Sequence, residues 1–335
     1  ILNDGMATRL YVFVPGFRLF VYERSRAFLN NPPETFTTGV DVLDNFHAGP
    51  FRGGLNLFIG LSGRGKTWWM VNLGKRALMR RSKVLHISLE MGEEWIAQRY
   101  YQAILGMAKH KDGSKNKVEF EFDQLGRVSG MDRKDIKPKM AMDDNNDTEK
   151  ELKRRMALFG HRFDNLIIKD FPSGSLTTSG LKAYLDSLEQ HENFIPDLIL
   201  LDYIDIMKID ERYYRFELDR LYKDVRGIAG ERNVGMATVS QSNREGLKQK
   251  KVNEGNVAES FAKIAHADTV LTYNQTDQEQ ALGLARLFAV KVRGDKSGYT
   301  VLINQDYNLG QFCRQSALMA SNYWDILDTE APNVE

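Results

Sequence analysis

Gly60-Leu-Ser-Gly-Arg-Gly-Lys-Thr-Trp-Trp69 follows the apolar run Leu55-Asn-Leu-Phe-Ile59 and leads into a segment with helical spacing. GLSGRGKTWW fits G-x-x-x-x-G-K-[ST] through Gly60, Gly65, Lys66 and Thr67, and a strand before it and a helix after it are the context that the mechanism needs. Small residues, Gly60, Ser62, Gly63 and Gly65, let consecutive backbone N–H groups turn inward around phosphate oxygens, and the helix N-terminus adds a favourable dipole. Lys66 then reaches the β- and γ-phosphates, and the Thr67 hydroxyl ligates Mg²⁺. The expected cofactors are ATP, or another NTP, with Mg²⁺. Trp68 and Trp69 read as helix packing rather than ligand contacts.

A phosphate cradle needs an acid on the metal side and a group that positions the attacking water. PDLILLDY supplies the first: Leu198 to Leu201 make a buried strand that delivers Asp202 at its C-terminal end, where open α/β sheets bind ligands. VLHISLEM supplies the second, because the strand Val84 to Ile87 ends at Ser88-Leu89-Glu90 and leaves from the same sheet edge. Taken alone, an acid after a strand reads as a helix cap, the role assigned to Glu93 and Glu94 nearby.

Outward from the loop, short β-type runs alternate with helical patterns, as a mostly parallel sheet covered by helices requires. The runs are Leu55 to Ile59, Lys83 to Ser88, Leu166 to Lys169, Leu198 to Asp202, Gly235 to Ser240 and Thr269 to Tyr273. Ala285 to Arg293 and Tyr299 to Asn304, separated by GDKSG, read as a C-terminal β-hairpin at the sheet's end. Between Lys109 and Arg155 the rhythm fails in a segment rich in Lys, Asp and Asn, with one alternating piece at Val118 to Phe122. It reads as a solvated insertion or a mobile surface element, with a nucleic-acid or partner contact as the second reading. The domain reading is an arm or linker over 1–35, an ATPase domain over 36–317 with an insertion at about 109–155, and a tail over 318–335.

The 46 Lys and Arg nearly cancel the 45 Asp and Glu across 335 residues, so any nucleic-acid surface must be local. Cys313 is the only cysteine and the six histidines lack metal-ligand spacing, which together imply a reducing, cytoplasmic setting. LYVFVPGFRLFVY (Leu10 to Tyr22) is interrupted by Pro15-Gly16 and Arg18 and is too short to span a bilayer, so no membrane role is expected. The first residue is Ile, which fits a piece of something longer.

Five dispersed motifs resemble those of the DnaB-type replicative helicases in order and approximate spacing. They are Thr37 to Thr67, ISLEM (Ile87 to Met91) with Arg99 following, LILLDYIDIM (Leu198 to Met207), VSQSNR (Val239 to Arg244) and AVKVRGDKSG (Ala289 to Gly298). The resemblance implies a RecA-like P-loop NTPase core, a homo-hexameric ring and ATP-driven movement on single-stranded DNA with duplex unwinding. By it, Glu90 activates water, Gln241 senses the γ-phosphate, and Lys291 and Arg293 match a K-x-R pair that reaches into the neighbouring subunit's site. Primase and a helicase loader become candidate partners, although the family's N-terminal helical domain has no counterpart before Phe36.

Arg244 and, in the polar stretch after it, Lys248, Lys250 and Lys251 are the expected DNA contacts, placed to follow a phosphate backbone without reading bases. A solvated loop explains the same lysines. Two other functions use the same core: a recombinase filament that exchanges strands, and a non-motor P-loop NTPase that regulates or loads replication proteins.

Overall fold

The computed structural model describes residues 35–124, 126–143, 148–241 and 261–330. The arm read over 1–35 falls almost wholly outside them, and so do Arg244, Lys248, Lys250 and Lys251. A short helix α1 (Asp41–Asn45) precedes β1 (Leu55–Gly60), α2 (Lys66–Met79), β2 (Val84–Ser88) and α3 (Glu93–Leu105). A pair of strands, β3 (Ser114–Phe122) and β4 (Val128–Ile136), and the helix α4 (Thr148–Phe159) come next. The chain then alternates through β5 (Leu166–Asp170), α5 (Thr178–Glu192), β6 (Leu198–Asp202), α6 (Tyr214–Arg232) and β7 (Gly235–Gln241). It ends with α7 (Phe261–His266), β8 (Thr269–Asn274), α8 (Asp277–Leu282), β9 (Leu284–Val292), β10 (Thr300–Asp306), β11 (Gln311–Leu318) and α9 (Tyr323–Glu330).

Nine strands form one sheet in the order β11-β10-β9-β8-β1-β7-β6-β2-β5. From β8 to β5 neighbours run parallel, and from β8 to β11 they run antiparallel. The continuous apolar run Leu198 to Leu201 is buried on both faces, as parallel strands between helical layers are. Leu198 and Leu200 pack into the core shared with α2 and α3, while Ile199 and Leu201 pack into the one shared with α5 and α6. Gly74 of α2 is there for close approach, since a Cβ would stand 2.0 Å from the Tyr100 hydroxyl. No helix among the described residues is long and apolar enough to cross a membrane.

Two parts of the chain differ from expectation. Lys109 to Arg155 is not merely a solvated element: it carries the β3–β4 hairpin, whose Val118, Phe120, Val128 and Met131 bury against Leu282, Leu284, Leu302, Tyr323 and Leu327. The polar residues face water and the alternating apolar set faces a third core, so composition reported only the wet side. The β9–β10 hairpin does not end the sheet either, because β11 pairs outside it. The tail folds back as α9, where Tyr323 donates to Glu279 at 2.8 Å and Glu279 pairs with Arg286 at 2.7 Å in full burial.

Candidate functional site

Four neighbouring parallel strands deliver their C-terminal ends to one edge of the sheet. The β1 end opens into the phosphate-type loop, and Gly60 lies in register with Gln241 at the end of β7. Ser88 at the end of β2 is in register with Asp202 at the end of β6, and the Leu89 N–H donates to the Asp202 carbonyl at 2.7 Å. Glu90 follows at once, exposed, and its charge is felt by Lys66 and Asp202. The sequence-predicted Gly60, Lys66, Thr67, Glu90, Asp202 and Gln241 are therefore assembled at one place.

Gly65 precedes α2 with φ 101°, and no side chain caps the helix. Its first N–H groups are left without an intrahelical partner, the arrangement that receives a phosphate. Gly65 is constrained twice, since a Cβ there would also come 1.9 Å from the Tyr307 hydroxyl. Gly63 has φ 71° with open space around it, so backbone conformation alone requires glycine. Lys66 is buried and folds back to donate to the Leu61 carbonyl at 3.1 Å. Burial lowers its pKa against the pull of Glu90, Asp202 and Asp205.

Thr67 Oγ1 donates to Asp202 Oδ2 at 3.1 Å, while Asp202 Oδ1 is buried with no partner among the described residues. Burial pushes the Asp202 carboxyl up to about 6, Glu90 adds to the rise, and Thr67, Lys66 and Arg99 oppose it. A hydroxyl beside an unpartnered buried carboxylate oxygen is a donor set that fits Mg²⁺, a hard cation that takes oxygen ligands and keeps waters and phosphates.

Two features at this edge escaped sequence reading as site residues. The Arg99 guanidinium lies 5.3 Å from the Trp68 ring, and Trp68 also stacks on Tyr307 at 5.5 Å and 6°. Trp68 thus helps to wall the site, whereas Trp69 packs fully buried on Phe58. Asp205 accepts from Ser240 at 2.7 Å, Lys263 at 2.6 Å and Tyr222 at 2.8 Å. Ser240 and Lys263 flank residues 242–260, so one carboxylate ties both roots of the stretch that holds the predicted DNA contacts. The sequence signal was slight: an acid three residues after Asp202 in LILLDYID.

Lys291 and Arg293 are not brought to this edge. Lys291 Nζ donates to the carbonyls of Ile264, Ala265 and Ala267 at the end of α7. Arg293 pairs with Asp268 at 2.5 Å, Arg226 approaches the same carboxylate at 3.2 Å, and the Leu55 N–H donates to it at 2.9 Å. Leu55 begins the strand that Gly60 ends, so Arg293 stands roughly 17 Å away along β1 at about 3.3 Å per residue. That is beyond a side chain's reach within one subunit.

The family model described as the DnaB-like helicase C-terminal domain matches residues 35–308. A DnaB-like replicative helicase of Enterobacteria phage T4 is 24% identical over 254 residues, covering 73% of this chain and 47% of that protein. The chain thus spans about half the length of the curated relative it matches. Among solved structures, one described as an ATPase domain superposes with a TM-score of 0.66 at 16% identity, covering 88% of this chain and 96% of that one. A DnaB-like replicative helicase described with its interactions with primase gives 0.64 at 16% identity, over 87% of this chain and 64% of that one. At such identity these two likenesses establish the fold: a mostly parallel, helix-flanked sheet of the RecA-like ATPase kind.

Proposed function

Since this chain belongs to the DnaB-like helicase C-terminal domain family, we propose that it is the motor of a replicative DNA helicase, hydrolysing ATP to move along single-stranded DNA as a ring of six. The observation that carries this reading is the division of the candidate machinery between two sheet edges. Lys66, Thr67, Glu90, Asp202 and Gln241 converge on one, while Arg293 and Lys291 sit at the other, out of reach of this subunit's own site, which is the placement a finger offered to a neighbour would need.

In this reading the loop N–H groups and Lys66 hold the β- and γ-phosphates. Lys66 needs only to leave the Leu61 carbonyl to reach them. Thr67 and Asp202 hold Mg²⁺, which when bound neutralises phosphate charge. Glu90 accepts a proton from water, whose oxygen attacks the γ-phosphorus as the bond to the ADP oxygen breaks. The Arg293 of an adjacent copy, helped by its Lys291, meets the charge developing on the transferred phosphoryl group. Gln241, an amide that both donates and accepts, reads the γ-phosphate from the end of β7. Asp205 then passes strand movement to both roots of residues 242–260, from which Arg244, Lys248, Lys250 and Lys251 contact the DNA backbone. Primase and a loader are the partners this role calls for.

The test is unwinding of a forked duplex, with strand exchange run alongside and subunits counted by electron microscopy on single-stranded DNA with a non-hydrolysable ATP analogue. Unwinding with six-membered rings is expected. Strand exchange with open filaments would make the chain a recombinase, and hydrolysis without either would make it a switch or loader.

A further inference from the structure

The helix that carries Lys66 and Thr67 at its start borders a second charged cavity three turns later. About 340 Å³ of space lies between α2, β3 and the edge strand β11, and Lys75, Arg76 and Arg314 line it together with Asn72, Gln311 and Gln315. Among the described lining residues three cations meet one carboxylate, Glu119, while Asp41 and Asp44 act from nearby on Cys313. Glu119 is already shared, accepting from Arg314 Nη2 at 2.7 Å and from Lys134 at 2.8 Å.

The remaining donors are left over. Arg314 Nη1 is buried with no hydrogen-bond partner among the described residues, and Arg76 Nε, also without one, lies against Gly39 outside the cavity lining, so Arg76 offers the cavity its charge rather than that donor. Burial, with Arg76 adding to it, pushes Lys75 down to about 8. Gly39 makes the arrangement possible: it has φ 70°, and a Cβ there would come 2.1 Å from Arg76 Nε, so the guanidinium lies directly on the backbone. Unpaired buried donors and like charges held together both cost stability. An anion supplies what they lack. Guanidinium forks match the oxygens of a tetrahedral phosphoryl group, and the charge excess of the lining exceeds what its one carboxylate would neutralise.

We propose that this cavity is a binding site for a multiply charged phosphoryl anion, taken up as free phosphate or pyrophosphate or as the polyphosphate of a nucleotide. Its volume is at the small end of ligand sites, enough for a diphosphate group. Bound there, the anion pins the C-terminal half of α2 to β11 and steadies the helix whose other end forms the phosphate loop. The proposal does not depend on the motor reading, since it concerns a different cavity.

The experiment is calorimetric titration of the full chain, free of Mg²⁺, with phosphate, pyrophosphate, ADP and a short single-stranded oligonucleotide in separate arms. Wild type should take up two equivalents of pyrophosphate. Lys66→Ala should lose one and keep the other, while Lys75→Gln and Arg314→Gln should weaken the second at least tenfold and leave the first. Lys75→Gln is the cleaner variant, since Arg314→Gln also breaks the Glu119 pair, and circular dichroism melts verify that each is folded. Loss confined to the phosphate and pyrophosphate arms assigns the free anion, and loss that extends to ADP assigns the nucleotide. Pyrophosphate uptake indifferent to Lys75→Gln in both the wild-type and the Lys66→Ala background, or an effect seen only with the oligonucleotide, would overturn the proposal, whereas absence of the Lys66-dependent equivalent alone would count against the phosphate loop and not against this cavity.

Discussion

The two edges of the parallel sheet carry the same kinds of side chain in opposite condition. Among the described residues, Asp202 at the C-terminal edge keeps one buried oxygen without a partner and Lys66 is held by a single carbonyl. At the N-terminal edge Asp268, equally buried, is saturated by Arg293, Arg226 and the Leu55 N–H, and Lys291 caps a helix with three carbonyl contacts. The first edge keeps polar groups available, as the proposed nucleotide and Mg²⁺ would require. The second is satisfied within the chain and must be opened before its cations can act elsewhere, which separates the phosphate site from its proposed finger.

The severest way to break this comparison is to ask which subunit Arg293 serves. Arg293→Ala should lower DNA-stimulated hydrolysis by about 10³ to 10⁵, and Glu90→Gln alone should be almost as inactive. Mixed after dissociation and reassembly, the two should recover, with a maximum at intermediate ratios, because some interfaces then combine an intact Glu90 with an intact Arg293. A flat profile despite verified subunit exchange would remove Arg293 from the neighbour's site and leave it as the partner of Asp268.

Next in size is the open edge by itself. Glu90→Gln should lower turnover by about 10² to 10⁴ while nucleotide affinity stays within a few-fold, since the cradle is untouched. Lys66→Ala should lose hydrolysis with folding intact. Wild-type turnover in Glu90→Gln would reduce that acid to a helix cap.

The same chemical change made at both edges sharpens the contrast. Asp268→Asn should cost about 2 kcal/mol in denaturant unfolding, because charge-assisted bonds are lost. Asp202→Asn should leave stability unchanged or raised, since a carboxyl already disfavoured by burial is replaced, yet it should abolish turnover. Equal destabilisation by the two would mean that Asp202 is structural.

The smallest expected effect concerns the stretch rooted at Ser240 and Lys263. Replacing Lys248, Lys250 and Lys251 with Ala should weaken single-stranded DNA binding alike for all sequences and flatten its salt dependence by up to about 0.7 per lost phosphate contact. An unchanged slope would return these lysines to a solvated loop.

What the sequence made legible was whatever its chemistry repeats locally. Leu198 to Leu201 could only be a buried strand, and it set Asp202 at the strand's end. Of the three glycines in GLSGRGKT, Gly63 and Gly65 stand at positive φ, while Gly60 still belongs to the strand. The hairpin was not legible, because Val118, Phe120 and Met131 mean nothing until Leu302 and Tyr323 cover them, and its Lys and Asp residues describe only the exposed side. The β11 stretch QFCRQSAL mixes polar and apolar residues because its buried positions are few, Phe312 and Ala317. Asp205 was passed over for a related reason: its partners Tyr222, Ser240 and Lys263 are 17 to 58 residues away.

The third core has a consequence for how the chain is born. Val118 and Phe120 complete their packing only with Tyr323 and Leu327, roughly 200 residues later. At about 5 to 20 residues per second of synthesis, the apolar side of the hairpin waits some 10 to 40 seconds on the ribosome for its cover.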